Sequence, residues 1–188
     1  MLPDQVRKFR EVVTLKDGVN VLLRPMLQED RKHLDELFLA ITEEDLHFFR
    51  HNVKDSDLLQ SWCDDLNYDR VLPLLALVKD RLVGIVTLHF FQGSRRHVGE
   101  IRLFLAKDYR KRGLGIKMSR AIIDLARKHG LKILVGEIIA DQPKVIKAFE
   151  QLGFKIQCTL DDFFMFPDGD TTDVVMVTLS LAPRTSEF

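Results

Sequence analysis

The sequence predicts a mixed α/β (α+β) domain built on one largely central sheet. Three observations carry that prediction. Short β-branched runs and stretches of helical periodicity alternate along the chain in the order ββ, helices, βββ, α, β, α, ββ. Two runs, VLPLLALV (71–78) and LVGIVTLHFF (82–91), are almost continuously apolar, as strands covered on both faces must be. With 188 residues, 46% of them hydrophobic and 30% charged, the chain suits one packed domain, not a disordered segment or two independent cores.

Residues 11–24 predict a hairpin: EVVTL and VNVLL flank Lys16-Asp17-Gly18, a strong turn signal. Arg24-Pro25 closes its second strand. From Gln28 to about Asp69 the spacing turns helical. Leu34, Leu37, Phe38 and Ile41 form one apolar stripe, and Leu58, Leu59, Trp62 and Leu66 another, with Trp62 as a core anchor. Strands follow over 71–78, 82–91 and 98–106, with Asp80 and Gly93 in the connections. Leu114, Met118, Ala121, Ile122 and Leu125 then line one helix face, which Gly130 stops. ILVGEIIA (133–140) reads as a buried strand, and Pro143 opens a short helix that ends at Gly153. Strands near 154–165 and 173–181 flank the turn Pro167-Asp168-Gly169-Asp170. No repeat, low-complexity stretch or linker intervenes, so 1–188 reads as a single domain.

Charge and cysteine content exclude several classes. Lys and Arg number 28 and so do Asp and Glu, which argues against a dedicated nucleic-acid or membrane-surface binder. No apolar run is long enough to span a membrane, and MLPDQVRKFRE has no signal-peptide core. Cys63 and Cys158 cannot make a disulfide framework and read as core-filling thiols. A cytoplasmic protein is the expectation.

The sharpest feature is Arg110-Lys111-Arg112-Gly113-Leu114-Gly115, set between a predicted strand and a predicted helix. First-turn N–H groups have no intrahelical partner there, and the helix dipole adds partial positive charge. Two glycines let the backbone bend and approach a ligand closely. Residues 107–132 hold nine basic against two acidic side chains, a local +7 in a neutral chain. Together these features form an anion cradle of the pyrophosphate kind. The plainer alternative is a solvated basic helix start. No third glycine completes a dinucleotide fingerprint, and no Gly-Lys-Ser/Thr completes a P-loop.

R-x-x-G-x-G after a strand resembles the pyrophosphate loop of the GNAT superfamily of acyl-CoA-dependent N-acyltransferases. ADQPKVIKAFEQLGF (140–154) is similar to that family's following strand end and helix. VTLKDGVNVLLRPMLQED (13–30) is similar to the start of the acyltransferase domain of bacterial protein lysine acetyltransferases. The resemblance implies a mixed, mostly antiparallel sheet of about seven strands, with helices on both faces and two strands splayed at the cofactor site. It assigns 97–154 to acyl-CoA binding and 28–70 to the acceptor side. It implies acetyl-CoA or another short acyl-CoA as co-substrate, held by Leu103, Phe104, Leu105, Arg110, Lys111, Arg112, Gly113, Leu114, Gly115, Gln142 and Phe149. Glu100 stands where that lysine acetyltransferase type carries its base. The sequence departs from the family twice: Gln142 replaces a frequent Asn, and Phe149 replaces a frequent proton-donating Tyr.

The chemistry is consistent with that resemblance. An amine of pKa near 10.4 is neutral in roughly one molecule in 2,500 at pH 7, so deprotonation costs about 4.6 kcal/mol and a base is useful. Glu100 lies in the apolar run VGEIRLFL, where desolvation would raise its pKa. Alternation also puts Arg102 on its face, so a surface ion pair is the competing reading, and Glu137 is a rival base. The leaving thiolate needs little help, so Phe149 is tolerable. His47 and His51, four apart, read as surface histidines in preference to metal ligands; no metal is expected. His89 and His97 read as strand-edge residues, and Phe163, Phe164 and Phe166 as core or interface. Residues 28–70 hold twelve acidic and five basic side chains, a local −7 that favours a cationic amine, whether a protein lysine, a polyamine or an aminoglycoside. Such a rim is equally a solvated helix face. A homodimer, a non-catalytic acyl-CoA-binding regulatory module and an interaction domain with a vestigial loop remain open at this point.

Overall fold

A computed structural model describes residues 6–46 and 48–181. One eight-stranded sheet runs through it: β1 (Glu11–Thr14), β2 (Asn20–Pro25), β3 (Val71–Val78), β4 (Arg81–Phe90), β5 (Val98–Leu105), β6 (Ile133–Ile139), β7 (Lys155–Met165) and β8 (Thr171–Ser180), in spatial order β1-β2-β3-β4-β5-β6-β8-β7. Every neighbouring pair is antiparallel except β5 and β6. The predicted hairpin forms β1 and β2, and the count exceeds the expected seven by one.

Helices cover both faces. The helical segment after β2 yields α1 (Arg31–Leu39), α2 (Glu43–Leu46) and α3 (Ser56–Asp64). α1 and α3 bury Leu34, Leu37, Phe38, Leu59 and Cys63 against Leu75, Leu77, Ile85 and Phe104 of the sheet. Trp62 is part of this core, edge-on to Phe38 at 6.1 Å between centroids. On the opposite face α4 (Leu114–Lys128) seats the predicted stripe, Leu114, Met118, Ala121, Ile122 and Leu125, all within 4% of full burial. Beside it, α5 (Pro143–Gln151) packs Phe149 onto Phe154. Leucine-rich β3 and β4 are covered on both sides, which is why their sequences lack alternation.

The far edge departs from expectation. β7 pairs only with β8 and is exposed along nearly its whole length. Cys158 is therefore exposed and does not fill the core. Phe163 is 57% exposed, and Phe164 and Phe166 are half-buried against each other, outside both cores. β-branched and aromatic content signals a strand, but burial depends on what covers it, and β7 has a strand partner on one edge alone and stays exposed along most of its length.

Candidate active site

The site follows from where two central strands part. β5 and β6 pair in parallel only over 98–100 and 133–135; beyond that β5 keeps β4 and β6 keeps β8. The β4–β5 ladder is bracketed by Phe91 N–H to the Val98 carbonyl and Ala106 N–H to the Val83 carbonyl. By antiparallel alternation, the even-numbered residues of β5 bond β4 and the odd-numbered ones turn to the other side. His97 obeys the rule, its carbonyl accepting from Ile133 N–H. The main-chain polar groups of Leu103 and the N–H of Leu105 thus point into the opening, whereas the amide of Phe104 faces β4. The Phe104 ring packs against Phe49 and Phe38, at 4.9 and 5.9 Å between centroids.

At the end of β5 the chain passes through a short 3₁₀ turn (Lys107–Tyr109) into the basic loop. Gly113 is the N-cap of α4 with φ +87°, a left-handed conformation that a side chain would strain. It offers no side-chain cap, and its carbonyl accepts from Lys117 N–H at 3.3 Å to open the helix. The first-turn amides, including those of Leu114 and Gly115, are left for an outside acceptor. A Cβ on Gly115 would stand 3.1 Å from the Leu103 side chain, which would have to give by a few tenths of an ångström, so glycine lets the helix start sit close to the open strand without that shift.

Two of the loop's basic side chains, Arg110 and Arg112, are paired within the protein. Arg110 donates to both oxygens of Asp45 at 2.8 Å and to the Leu105 carbonyl at 3.0 Å. Burial pushes the Asp45 pKa up, but Arg110 outweighs it and the net shift is down. Arg112 donates to Asp17 in the β1–β2 turn at 2.6 Å and lies over the Tyr109 ring. Lys111 (φ +61°) and Lys16, whose chain passes 3.7 Å from the Cβ position of Gly113, have no carboxylate partner among the described residues. The Asp17 and Asp45 contacts and the approach of Lys16 were not foreseen, because each comes from a distant part of the chain.

Beside the opening lies a polar cluster centred on Glu100, 4% exposed. Arg102 holds it through two hydrogen bonds of 2.9 and 2.7 Å, and Arg50, from the α2–α3 connection, adds a third of 2.9 Å. The same Arg50 nitrogen also donates to Glu137 on β6. Burial alone would raise the Glu100 pKa, as the sequence suggests; the bonds from Arg102 and the charges of Arg102 and Arg50 overcome it and hold the carboxyl below its usual range. The expected upward shift is thereby corrected. His89, opposite Glu100 on β4, accepts this environment by staying neutral: burial and the nearby Arg102 push its pKa down to about 4. It is a central-strand residue, not an edge one, and pairing 82–91 against 98–106 in sequence would have found it.

Gln142 is the N-cap of α5 without a side-chain capping bond. Phe149 is 5% exposed and turned into the core over Gly136. His51 is exposed in the α2–α3 connection and not on a helix; His47 lies outside the described residues. Among the described residues, no group of three or more His, Cys, Asp or Glu could hold a metal ion, and no helix is long and apolar enough to cross a membrane.

An open strand edge, beside a helix start whose amides are uncapped and whose glycines admit close approach, suits the pantetheine and diphosphate of an acyl-CoA. The residues present fit such a ligand, and they define the class: an acyl-CoA-binding α/β fold with splayed central strands. Comparison with known proteins supplies the family. Residues 36–154 match the acetyltransferase (GNAT) family model. An acetyltransferase of Pseudomonas aeruginosa is 30% identical over 127 residues, 64% of this chain and 67% of that protein. Among solved structures, the GNAT domain of S. lividans PAT superposes with a TM-score of 0.77 at 17% identity, covering 96% of this chain and 99% of that one. The yncA acetyltransferase-like structure from Salmonella typhimurium, solved with its cofactor acetyl-CoA, gives 0.76 at 18% identity, covering 90% and 98%. The chain belongs to the GNAT family and is an acyl-CoA-dependent N-acetyltransferase using acetyl-CoA.

Proposed function

We propose that this chain transfers the acetyl group of acetyl-CoA directly to the primary amine of a cationic acceptor, with Glu100 receiving the proton. One observation carries the proposal: a buried carboxylate, Glu100, lies where β5 and β6 part, on the strand whose open edge and following loop suit the acyl carrier. Residues 97–154 hold the acyl-CoA and 28–70 form the acceptor wall, the whole of 1–188 acting as one domain. The amides of Leu103 and Leu105 receive the pantetheine; those of Leu114 and Gly115, with Lys111 and Lys16, receive the diphosphate. Arg110 and Arg112 hold the loop's shape instead. The acidic acceptor wall and the likeness of residues 13–30 to lysine acetyltransferases favour a protein lysine as acceptor.

In the transfer, the amine nitrogen forms a bond to the thioester carbon, the C–S bond breaks, and the thiolate leaves. A carboxylate held below its normal pKa cannot efficiently strip a resting ammonium. The minor neutral fraction of the acceptor, its first proton given to solvent, attacks the carbon, and Glu100 takes the second proton as the C–N bond forms, when the nitrogen has become far more acidic. A thiolate of pKa about 8.5 leaves without protonation, so the phenyl ring of Phe149 suffices. Neither tyrosine substitutes for it: Tyr68 donates to the Met26 carbonyl, and Tyr109 lies beside the loop under Arg112.

The test is CoA release from acetyl-CoA with an acetyl-accepting lysine peptide, comparing the native chain with Gly113→Glu. Native turnover is expected. The variant, which strains the left-handed position and places an anion at the helix start, should lose acetyl-CoA affinity by about 100-fold or more in calorimetry. Undiminished affinity would remove the loop from the site.

A further inference from the structure

The position of Arg50 calls for an explanation that the fold does not supply. Its guanidinium spans the opening and bonds Glu100 on β5 and Glu137 on β6, the two strands that have separated. Glu100 does not need it, because Arg102 already pairs both of its oxygens. We propose that Arg50 is an internal occupant of the acceptor subsite: its guanidinium fills the space between Glu100 and Glu137 that the acceptor's ammonium takes, and leaves when an acceptor enters. This rests on the acetyl-transfer function proposed above and identifies the group its acceptor must displace.

Charge arithmetic fixes the kind of ligand. The groups facing this space are His89 from β4, Glu100 and Arg102 from β5, Glu137 from β6, and Arg50 and His51 from the α2–α3 connection. With His89 neutral and Arg50 withdrawn, the two carboxylates Glu100 and Glu137 face one guanidinium, that of Arg102, and a single negative charge among these groups is left unbalanced. A monocation restores neutrality in a part-buried place where an unpaired carboxylate is costly. Arg50 supplies that monocation internally, and a primary ammonium is its equivalent. An anionic or neutral acceptor group gains nothing there.

The connection is built so that the side chain moves while the backbone stays. Phe49 on one side packs edge-on to Phe38 at 5.6 Å and to Phe104 at 4.9 Å. Val53 on the other side is fully buried. Between these anchors lie Arg50, His51 and Asn52, all exposed and in neither helix nor strand. The Arg50 side chain is 37% exposed and has water to swing into. A tethered group competes at a high effective concentration, so the acceptor's apparent affinity is reduced by the fraction of time the subsite is filled.

Two probes test this in the full-length protein: guanidinium chloride at low millimolar concentration and n-butylammonium, both at constant ionic strength. Calorimetry should show guanidinium binding to Arg50→Ala but not to the native chain, with n-butylammonium displacing it. The KM for n-butylamine in acetyl transfer should fall about tenfold in Arg50→Ala, and Arg50→Lys, which restores a tethered cation, should raise it again. Equal guanidinium binding to both proteins, absence of binding to the variant, or a KM that rises in Arg50→Ala would each overturn the proposal; the last would make Arg50 a holder of the acceptor. Cation binding as described, but with no CoA release by either protein with n-butylamine or lysine peptides, would instead overturn the acetyl-transfer function and leave the subsite standing.

Discussion

The two ends of the cleft are built from different materials. At the Gly113 end the groups proposed to meet the ligand are main-chain amides with Lys111 and Lys16 beside them, and the two arginines there are tied off: Arg110 to Asp45 and Arg112 to Asp17. At the Glu100 end the backbone is inside the sheet, and the working groups are side chains: Glu100, Glu137, Arg102, Arg50 and His89. The carrier's diphosphate is the same in every turnover, and on the proposed function fixed amides on a helix start would serve it with no reorganisation. An acceptor arrives charged and must lose a proton, so its end needs titratable groups whose balance can change. Substitutions at the two ends should accordingly separate into effects on acetyl-CoA affinity and effects on turnover.

Glu100→Gln gives the strongest form of that separation. Gln keeps the volume and can still accept from Arg102, but it cannot take the amine proton. CoA release with a lysine peptide should fall by about 10² to 10⁴-fold in kcat, the usual contribution of a positioned general base. Acetyl-CoA affinity measured by calorimetry should stay within about threefold. A parallel loss of acetyl-CoA binding would show that the two ends are one cooperative unit; unchanged turnover would remove Glu100 from proton transfer.

The pH dependence of stability reads the same end without any substrate. His89 has a folded pKa of about 4, below the 6.5 of an ordinary histidine, so the unfolded chain binds the extra proton first as pH falls. Its contribution is fully present above pH 6.5 and is lost as the pH drops towards 4. Asp30, Asp45 and Glu100, whose pKa values are lowered, withdraw their contributions only further down, as pH falls through their own folded values. Between pH 7.5 and 4.5, urea unfolding of the native chain should therefore show a loss of about 2 to 3 kcal/mol from this residue. His89→Gln should abolish most of that slope. A slope that persists in the variant would assign it to groups elsewhere.

The same division explains what the sequence could reveal. Strands β3 to β6 and helix α4 were legible because period and apolar content mark them locally. The Gly113 loop was legible because an amide cradle requires small residues at fixed spacing, and those stand in one six-residue stretch. Glu100 could be placed on its strand and even beside Arg102, two residues away. The sign of its pKa shift could not, since desolvation and pairing oppose each other and Arg50, which adds to the pairing, lies 50 residues away in sequence. The bond from Arg50 to Glu137 spans 87 residues. Nothing local announces either. The exposure of Cys158 is hidden for a different reason: it sits on a true strand, β7, whose exposure depends on its place at the sheet edge.

Asp45 is the residue through which the two ends touch, and its substitution should have the mildest consequence. It clamps Arg110 in a bidentate pair with Asp45 12% and Arg110 35% exposed, and Arg110 lies over Phe104 at 5.7 Å. α2, which carries Asp45, leads directly into the connection that bears Arg50. Asp45→Asn should cost about 1 kcal/mol of stability in urea unfolding, in keeping with a half-exposed charge-assisted pair. Two opposite effects on acetyl-CoA are possible in principle: a loosened loop weakens binding, while a released Arg110 adds a positive charge near the diphosphate. If the loop is held mainly by Gly113 geometry and the Arg112–Asp17 bond, the two nearly cancel and affinity should change less than about threefold. A tenfold gain, lost again at high salt, would show that Asp45 keeps Arg110 from a ligand it could otherwise bind, and that the donor end is less completely a backbone device than its geometry indicates.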